Sequence, residues 1–181
     1  MPHHQRASPM LTLSILRHAK ASSDDPTIED FDRPLAPRGV KDAGAMGVWM
    51  VKHGLFPDLV LASTSERTRA TCTLAFKAFA KEPPITLDDD LYLANPRTLL
   101  GIVHQVGDDI RHLMLVGHNP GLHALATAFI ASGPADLRAR LDDKLPTSGL
   151  VVLEFDATRF ADVKPGTGRL SHFVGPKNLG P

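Results

Sequence analysis

Residues 11–21, LTLSILRHAKA, decide the fold and the position of the site. The segment opens with alternating and then continuous apolar residues, a pattern typical of a buried β-strand. It ends in Arg17 and His18, and a guanidinium beside an imidazole is costly to place at the end of a core strand without a partner. Ligands bind at the carboxyl ends of strands in open α/β sheets. The pair is therefore the first candidate for a chemical site, and a solvated loop is the alternative.

The composition is that of an ordinary globular protein. Its 181 residues fit a single domain that can bury about two-thirds of its unfolded surface. A hydrophobic fraction of 43%, a charged fraction of 22% and zero formal net charge give no basic excess for nucleic-acid binding. A phosphate pocket is still compatible with this balance, because a local field depends on the arrangement of charges and not on their sum.

The cysteine count and the distribution of apolar residues predict the cellular location and the domain bounds. The single cysteine, Cys72, excludes an intrachain disulfide and suits a reducing, cytoplasmic environment. No apolar run approaches the roughly 20 residues that span a bilayer, and the N-terminus lacks the apolar core of a signal peptide. We therefore expect no membrane partner, a flexible extension over residues 1–10 and one domain over residues 11–181.

Alternation of strand and helix patterns predicts an α/β fold. We expect a single three-layer domain in which helices cover both faces of a mainly parallel sheet. The predicted strands are 11–16, 58–62, 85–87, 112–116, 150–155 and 169–174, the last as an edge strand. The predicted helices are 35–54, 66–80, 96–106 and 122–131. Residues 22–33 are predicted as a loop over the mouth of the site, and residues 132–148 as a polar linker.

The inward faces and starts of the helices are also predicted. The first helix has an apolar stripe on Val40, Ala43, Gly47 and Met50. The second has one on Ala70, Leu74 and either Ala78 or Phe79. Ser63 followed by Glu66 predicts a capping box at the start of the second helix, and Asn119 before Pro120 predicts an N-cap at the start of the fourth.

Three strand ends carry side chains of one chemical kind. Arg17 and His18 follow the first strand, Arg67 or Arg69 begins the helix after the second, and His118 follows the strand over 112–116. Arg67 and Arg69 lie about 200° apart around a helix, so at most one of them faces a given pocket. Parallel strands bring their carboxyl ends to one rim, where helix N-termini also favour anions.

Two arginines and two histidines at one rim suit a phosphoryl dianion. Arginine pairs bidentately with phosphoryl oxygens, and phosphoryl transfer needs mainly positioning and charge stabilisation. A neutral imidazole can also serve as the nucleophile, which divides hydrolysis into two steps through a phosphohistidine intermediate. The sequence offers no metal-ligand set, so we expect neither a metal nor a cofactor, and no inhibition by chelators.

The motifs, taken together, are similar to those of a known family. The R-H-A triplet and the V-G-H-N-P element resemble the histidine phosphatase superfamily, in its SixA-type phosphohistidine phosphatase branch. The resemblance spans about residues 11–178 in the family's order. Its elements are Leu16–Ala21, Asp32-Arg33-Pro34-Leu35 with Gly39, Ser63-x3-Arg67-Thr68-x2-Thr71, Val116–Pro120 and Pro176-Lys177.

The resemblance implies a phosphoglycerate-mutase-like fold and a set of residue roles. His18 would be the nucleophile, and Arg17, Arg67 and His118 would bind the phosphoryl group, with Asn119 beside them. The motif alignment selects Arg67 over Arg69. Glu66 departs from the family pattern, and we expect it to pair with a neighbouring arginine.

The implied activity is metal-independent hydrolysis of phosphohistidine on a protein, with a histidine-containing phosphotransfer domain as one candidate. The alternatives are a phosphatase or mutase acting on a small phosphate ester, and a non-catalytic phosphate-binding domain. An ester would require a general acid, for which Asp24, Asp25 and Asp90 are candidates. Activity is expected to fall on acidification as His18 is protonated.

Overall fold

The computed structural model describes residues 10–180. The flexible extension predicted for residues 1–10 lies outside these residues except for Met10, which is the first residue of a strand. No helix between residues 10 and 180 has both the length and the apolar character required to cross a membrane.

Seven strands and five α-helices make up the described chain. The strands are β1 (Met10–Arg17), β2 (Leu59–Ser63), β3 (Ile85–Asp88), β4 (His112–Gly117), β5 (Ile130–Ser132), β6 (Leu150–Asp156) and β7 (Gly168–Val174). The helices are α1 (Pro37–Lys52), α2 (Glu66–Phe76), α3 (Pro96–His104), α4 (Gly121–Phe129) and α5 (Ala135–Asp143). Short 3-10 turns cover Asp30–Asp32, Asp89–Leu91, Phe160–Asp162 and Pro176–Asn178.

All seven strands form one sheet in the order β3-β2-β4-β1-β6-β7-β5. Strands β1 to β4 are mutually parallel, and β6 is antiparallel to both β1 and β7. The predicted α/β domain with a mainly parallel sheet is therefore confirmed. The predicted edge position of the last strand is wrong, because β5 pairs with β7 on its outer side.

Helices cover both faces of the sheet, as the alternation of buried residues in β1 shows. Leu13 and Ile15 pack into a core that includes residues of α3, α4 and α5. Leu16 faces the opposite side and packs against residues of α1 and α2. Because successive side chains of a strand point to opposite faces, a strand buried on both sides reads as a nearly continuous apolar run.

The inward face of α1 was largely predicted, and that of α2 was not. In α1, Ala43, Gly47 and Met50 are buried, whereas Val40 is 46% exposed.

In α2, most of the predicted apolar stripe is wrong, because Ala70, Leu74 and Ala78 are only partly buried. Phe79, the alternative to Ala78, is buried in the same core but lies after the end of the helix. The buried face instead carries the residues Arg67, Thr68, Thr71, Cys72, Ala75 and Phe76. A face that turns polar groups toward a site gives no hydrophobic periodicity.

Both predicted helix caps are wrong, because the side chains concerned have other partners. The Ser63 hydroxyl accepts a hydrogen bond from the backbone of Ser65 and contacts a histidine, and α2 begins one residue after Ser65. The Asn119 amide donates to the carbonyl of Leu145, and Pro120 is the residue that precedes α4. Both polar groups therefore form hydrogen bonds at the carboxyl edge of the sheet instead of capping a helix.

The predicted linker over residues 132–148 is also wrong, since it contains α5. Within α5 only Leu141 is buried, so its sequence carries almost no apolar periodicity. The segment after α5 returns beneath the end of β1, where the Ser148 backbone N–H donates to the carbonyls of Arg17 and His18 at 3.1 Å each. The region is thus part of the framework of the site.

Candidate active site

Three adjacent parallel strands end at one edge of the sheet. In β1 and β4, Arg17 is level with Gly117, and in β2 and β4, Ala62 is level with Val116. The residues that follow these strand ends therefore come together at the carboxyl edge. They are His18 after β1, Arg67 in the first turn of α2, and His118 after β4.

The guanidinium of Arg67 lies between the two imidazoles. Its Nε is 3.3 Å from Nε2 of His18, and its Nη2 is 3.3 Å from Nδ1 of His118. The two ring centroids are 5.0 Å apart. All three side chains are less than a tenth exposed. The structure thus brings together three predicted site residues that lie far apart in the sequence.

His18 is held in the tautomer that leaves Nε2 free of a proton. Its Nδ1 lies 2.8 Å from the carbonyl oxygen of Ala19, and a carbonyl can only accept, so Nδ1 carries the hydrogen. The hydrogen bond at one ring nitrogen fixes the state of the other. The Nε2 lone pair therefore points toward Arg67 and the pocket.

Burial keeps both imidazoles neutral. It is the main reason that the pKa of His18 is lowered to about 4, with a contribution from the Arg67 charge and opposition from the Ala19 hydrogen bond. Burial, and then the nearby His18 and Arg67, lower the pKa of His118 to about 3. A neutral His18 is the form that can act as a nucleophile at neutral pH.

Ser63 holds the far side of His118. Its Oγ is 2.8 Å from Nε2 of His118 and accepts from the Ser65 backbone N–H at 3.3 Å. A guanidinium can only donate, so the contact from Nη2 of Arg67 makes Nδ1 of His118 an acceptor. The ring proton of His118 then lies on Nε2 and is donated to Ser63 Oγ, whose second lone pair accepts from the Ser65 backbone.

Arg17 and Asn119 share one backbone acceptor. Nη1 of Arg17 and Nδ2 of Asn119 donate to the carbonyl oxygen of Leu145 at 3.0 and 2.9 Å. Within residues 10–180, Nε of Arg17 and Oδ1 of Asn119 are buried and have no hydrogen-bond partner. Burial and the Arg67 charge lower the pKa of Arg17. Both side chains line the pocket, and each has a polar atom that is available to a ligand.

The other arginine of α2 points away from the site. Arg69 is exposed and forms an ion pair with Glu66, with Nη2 and Oε2 at 2.7 Å. The expected pairing of Glu66 with a neighbouring arginine is thus confirmed. It leaves Arg67 as the arginine that α2 contributes to the pocket.

Asp30 and Tyr92 were missed in the sequence. The Asp30 carboxylate accepts from Nη2 of Arg67 at 3.0 Å and from the Tyr92 hydroxyl, and its backbone carbonyl accepts from Nη1. The Tyr92 hydroxyl, and then Arg67 and Arg33, lower the pKa of Asp30 to about 2. The proximity of Asp30 to Arg33 of the quoted motif is the only sequence signal that could have indicated it.

The pocket has a volume of about 280 Å³ and no carboxylate in its wall. Its lining residues are Arg17, His18, Lys20, Ala21, Arg33, Arg67, Leu93, His118, Asn119 and Thr147. The predicted general-acid candidates Asp24, Asp25 and Asp90 are exposed and lie outside this lining. Across residues 10–180, no three His, Cys, Asp or Glu side chains are grouped so that they could hold a metal ion.

No protein-family model matches the chain. An uncharacterized protein of Mycobacterium tuberculosis is 41% identical over 164 residues, which cover 90% of this chain and all of the relative. A crystal structure of SixA from Agrobacterium tumefaciens, a candidate phosphohistidine phosphatase, is 34% identical with a TM-score of 0.78. The match covers 92% of this chain and 98% of that one.

Two further structures share the fold. SixA from Nakamurella is 28% identical with a TM-score of 0.78, over 92% of this chain and 96% of that one. A protein histidine phosphatase SixA in complex with tungstate has a TM-score of 0.75 at 17% identity, over 94% of this chain and all of that one. With its three parallel strand ends and its near full-length match to the Agrobacterium protein, the chain belongs to the SixA-type branch of the histidine phosphatase superfamily.

Proposed function

We propose that the protein is a phosphatase that hydrolyses phosphohistidine on another protein through a covalent phosphohistidine on His18. The observation that carries the proposal is the composition of the pocket, which combines arginines and neutral imidazoles with no carboxylic acid. Such a pocket binds a phosphoryl dianion and offers a nucleophile. It offers no acid to protonate a leaving group.

The phosphoryl group would be bound by the side chains that surround Nε2 of His18. Arg17 and Arg67 supply guanidinium donors, which pair bidentately with phosphoryl oxygens. Asn119 supplies an N–H donor, and His118 would supply one from Nδ1 once its ring proton moves there from Nε2. The donors that Arg67 directs to the two imidazoles at 3.3 Å are long, so an incoming phosphoryl oxygen would offer it shorter and stronger partners.

In the first step, the Nε2 lone pair of His18 attacks phosphorus. A P–N bond forms to His18 while the P–N bond to the substrate histidine breaks, and the bonding electron pair returns to the substrate's ring nitrogen. The phosphorylated His18 ring keeps its Nδ1 hydrogen and becomes formally cationic. The Ala19 carbonyl, which accepts that hydrogen, stabilises the positive ring.

In the second step, water attacks the phosphorus of phospho-His18. A P–O bond forms, the P–Nε2 bond breaks and its electron pair returns to Nε2. The two hydrogens of the water leave with the product as dihydrogen phosphate, which releases a proton to solvent according to the pH. His18 returns to its starting tautomer without a proton transfer to the protein.

The identity of the leaving group favours phosphohistidine over a phosphate ester. An imidazole protonated at its other nitrogen leaves as a neutral molecule, whereas an alkoxide requires a general acid. The carboxyl group that contacts Arg67 belongs to Asp30, whose low pKa of about 2 leaves it without a proton at neutral pH. Among the described residues that line the pocket, none is therefore a carboxylic acid that could donate a proton for ester cleavage.

Substrate competition tests the choice of substrate. Turnover of a phosphohistidine protein is compared with turnover of sugar phosphates and an aryl phosphate at equal concentrations. We expect the highest kcat/KM for phosphohistidine, with no loss of activity in the presence of chelators. Preference for an ester would instead support a small-molecule phosphatase or mutase.

Trapping the intermediate tests the covalent step. The enzyme is mixed with a donor labelled at phosphorus, quenched in alkali, and the labelled residue is located by mass spectrometry. Label on His18, and its absence from His18→Ala, is the expected result. If no label appears and His18→Ala is as active as the parent protein, a covalent role for His18 is excluded; absence of any turnover would leave only phosphate binding.

A further inference from the structure

A groove much larger than the phosphoryl pocket adjoins it. The groove has a volume of about 860 Å³ and the pocket one of about 280 Å³. Arg17, Lys20 and Thr147 line both. The two spaces therefore adjoin at these residues, so a molecule whose phosphoryl group occupies the pocket is placed to extend into the groove.

The groove concentrates positive charge in a protein whose formal net charge is zero. Six cationic side chains line it, against two carboxylates, Asp42 and Asp143. The six are Arg17, Lys20, Arg38, Arg140, Lys144 and Lys177. Among residues 10–180, only Arg38 of these six has a carboxylate within 4.0 Å, that of Asp42 at 3.7 Å. Clustered like charges without counterions favour an anionic partner.

The cations are presented by separate parts of the fold. Lys144 follows α5, and Lys177 lies in the turn after β7. Arg140 of α5 is held in place, because its guanidinium lies 5.2 Å from the centre of the Phe173 ring and donates to Asn178 at 2.7 Å. Lys144, Lys177 and Arg140 are all exposed, so they meet a partner without a change of fold.

We propose that this groove is a docking surface for an acidic segment of the phosphorylated protein substrate, an inference that rests on the proposed function. A groove three times the volume of the pocket, with cations on several elements, exceeds what one phosphoryl group needs. Exposed lysines and an arginine complement carboxylates spread along a polypeptide. Such rim charges mainly raise the association rate and the specificity of encounter.

The test uses synthetic peptides with one central N-phosphohistidine. One peptide has glutamates on both sides of the phosphohistidine, and the other has serines at the same positions. At low ionic strength we expect a KM roughly fivefold lower for the acidic peptide, with a similar kcat. The difference is expected to disappear as salt is raised, because exposed charges are screened.

Charge reversal locates the effect in the groove. The double variant Lys144→Glu/Lys177→Glu is expected to lose the preference for the acidic peptide and to keep its kcat on the serine peptide. The matched control is Lys81→Glu, an exposed lysine that precedes β3 at the amino end of the sheet. It changes the charge in the same direction and should retain the preference.

Two outcomes would overturn the docking proposal while leaving the phosphohistidine activity intact. One is equal turnover of both peptides by the parent protein. The other is a preference for the acidic peptide that persists in the double variant. A third outcome would assign the groove to a small anion instead. In that outcome the parent protein shows no preference between the peptides, and inorganic pyrophosphate inhibits the parent protein more strongly than the double variant. If neither peptide is turned over, the proposed function itself fails.

Discussion

Nε of Arg67 lies 3.3 Å from Nε2 of His18, the atom that we propose as the nucleophile. The same guanidinium reaches His118 through Nη2 and Asp30 through Nη1 and Nη2. One planar group thus contacts four acceptors in three directions. The ammonium of a lysine is a compact charge and cannot reproduce this fork.

Arg67→Lys is therefore expected to lower kcat for phosphohistidine by roughly 10²-fold or more, the cost of removing an aligned donor. Steady-state kinetics checks this value. Arg69→Lys is the matched control, because Arg69 is exposed and pairs only with Glu66. Equal losses in the two variants would show that Arg67 has no special role.

The pH dependence should reflect the lowered pKa of His18. A pKa of about 4 keeps more than roughly nine-tenths of His18 neutral at pH 5.5, whereas an ordinary imidazole would be only about one-tenth neutral there. Because the neutral form attacks, kcat/KM should stay nearly constant down to this pH and fall toward pH 4. Acidification thus lowers kcat/KM, but it does so at a lower pH than the ordinary imidazole range expected from the sequence alone.

NMR of protein with isotopically labelled histidines measures the same quantity directly. The His18 imidazole should titrate near pH 4, with the hydrogen of its neutral form on Nδ1. Non-enzymatic hydrolysis of phosphohistidine in acid must be subtracted from the kinetic data. A His18 midpoint near 6.5 would contradict the proposed burial and orientation of the ring.

Asp30→Ala should lower kcat/KM by roughly tenfold with little change in Tm. Asp30 is exposed and holds Arg67 from outside the pocket, so its loss should misorient the guanidinium more than it destabilises the fold. The control is Asp32→Ala in the same turn, since the Asp32 side chain makes no hydrogen bond or ion pair within residues 10–180. Activity in Asp30→Ala equal to that of the control would remove Asp30 from the site.

Ser63→Ala should lower kcat by about tenfold because His118 loses the partner that fixes its ring. The hydroxyls of Ser65 and Thr68 lie 3.4 and 3.5 Å from the same nitrogen, too far to replace a contact of 2.8 Å. Nitrogen NMR of His118 should show a mixture of tautomers in the variant. An unchanged tautomer together with an unchanged kcat would refute the assigned role of Ser63.

Gly39→Ala tests the packing of α1 beneath the site. A Cβ at this position would lie 2.2 Å from the backbone carbonyl oxygen of Lys20, so the helix or the segment after His18 must move. We expect the free energy of unfolding to fall by about 1–3 kcal/mol. Gly44→Ala in the same helix meets nothing within 4 Å and should raise it by about 0.5–1 kcal/mol; denaturant unfolding measures both.

The sequence predicts the carboxyl edge well because the relevant signals are local. Arg17, His18 and His118 each follow an apolar run directly, and the rule that parallel strands converge at one edge brings them together. Arg67 is selected over Arg69 by the motif alignment, which agrees with its position nearer the start of the helix. None of these inferences requires knowledge of contacts between distant loops.

The parts that escaped prediction depend on distant contacts or on polar packing. Asp30 meets Arg67 across 37 positions of the chain, from a segment without periodicity. Ser63 and Asn119 look like helix caps, but tertiary contacts with His118 and Leu145 determine their roles. Helix α5 has one buried residue, Leu141, and so gives no amphipathic signal.

Main-chain oxygens anchor most of the site. The His18 ring donates to the carbonyl oxygen of Ala19, and Arg67 donates to that of Asp30. Arg17 and Asn119 both donate to the carbonyl oxygen of Leu145. A side-chain substitution at residue 19 or 145 removes no acceptor, provided the backbone keeps its path. The acceptor function of these positions is therefore not encoded in their side chains, and a search for the site by residue identity alone would pass over them.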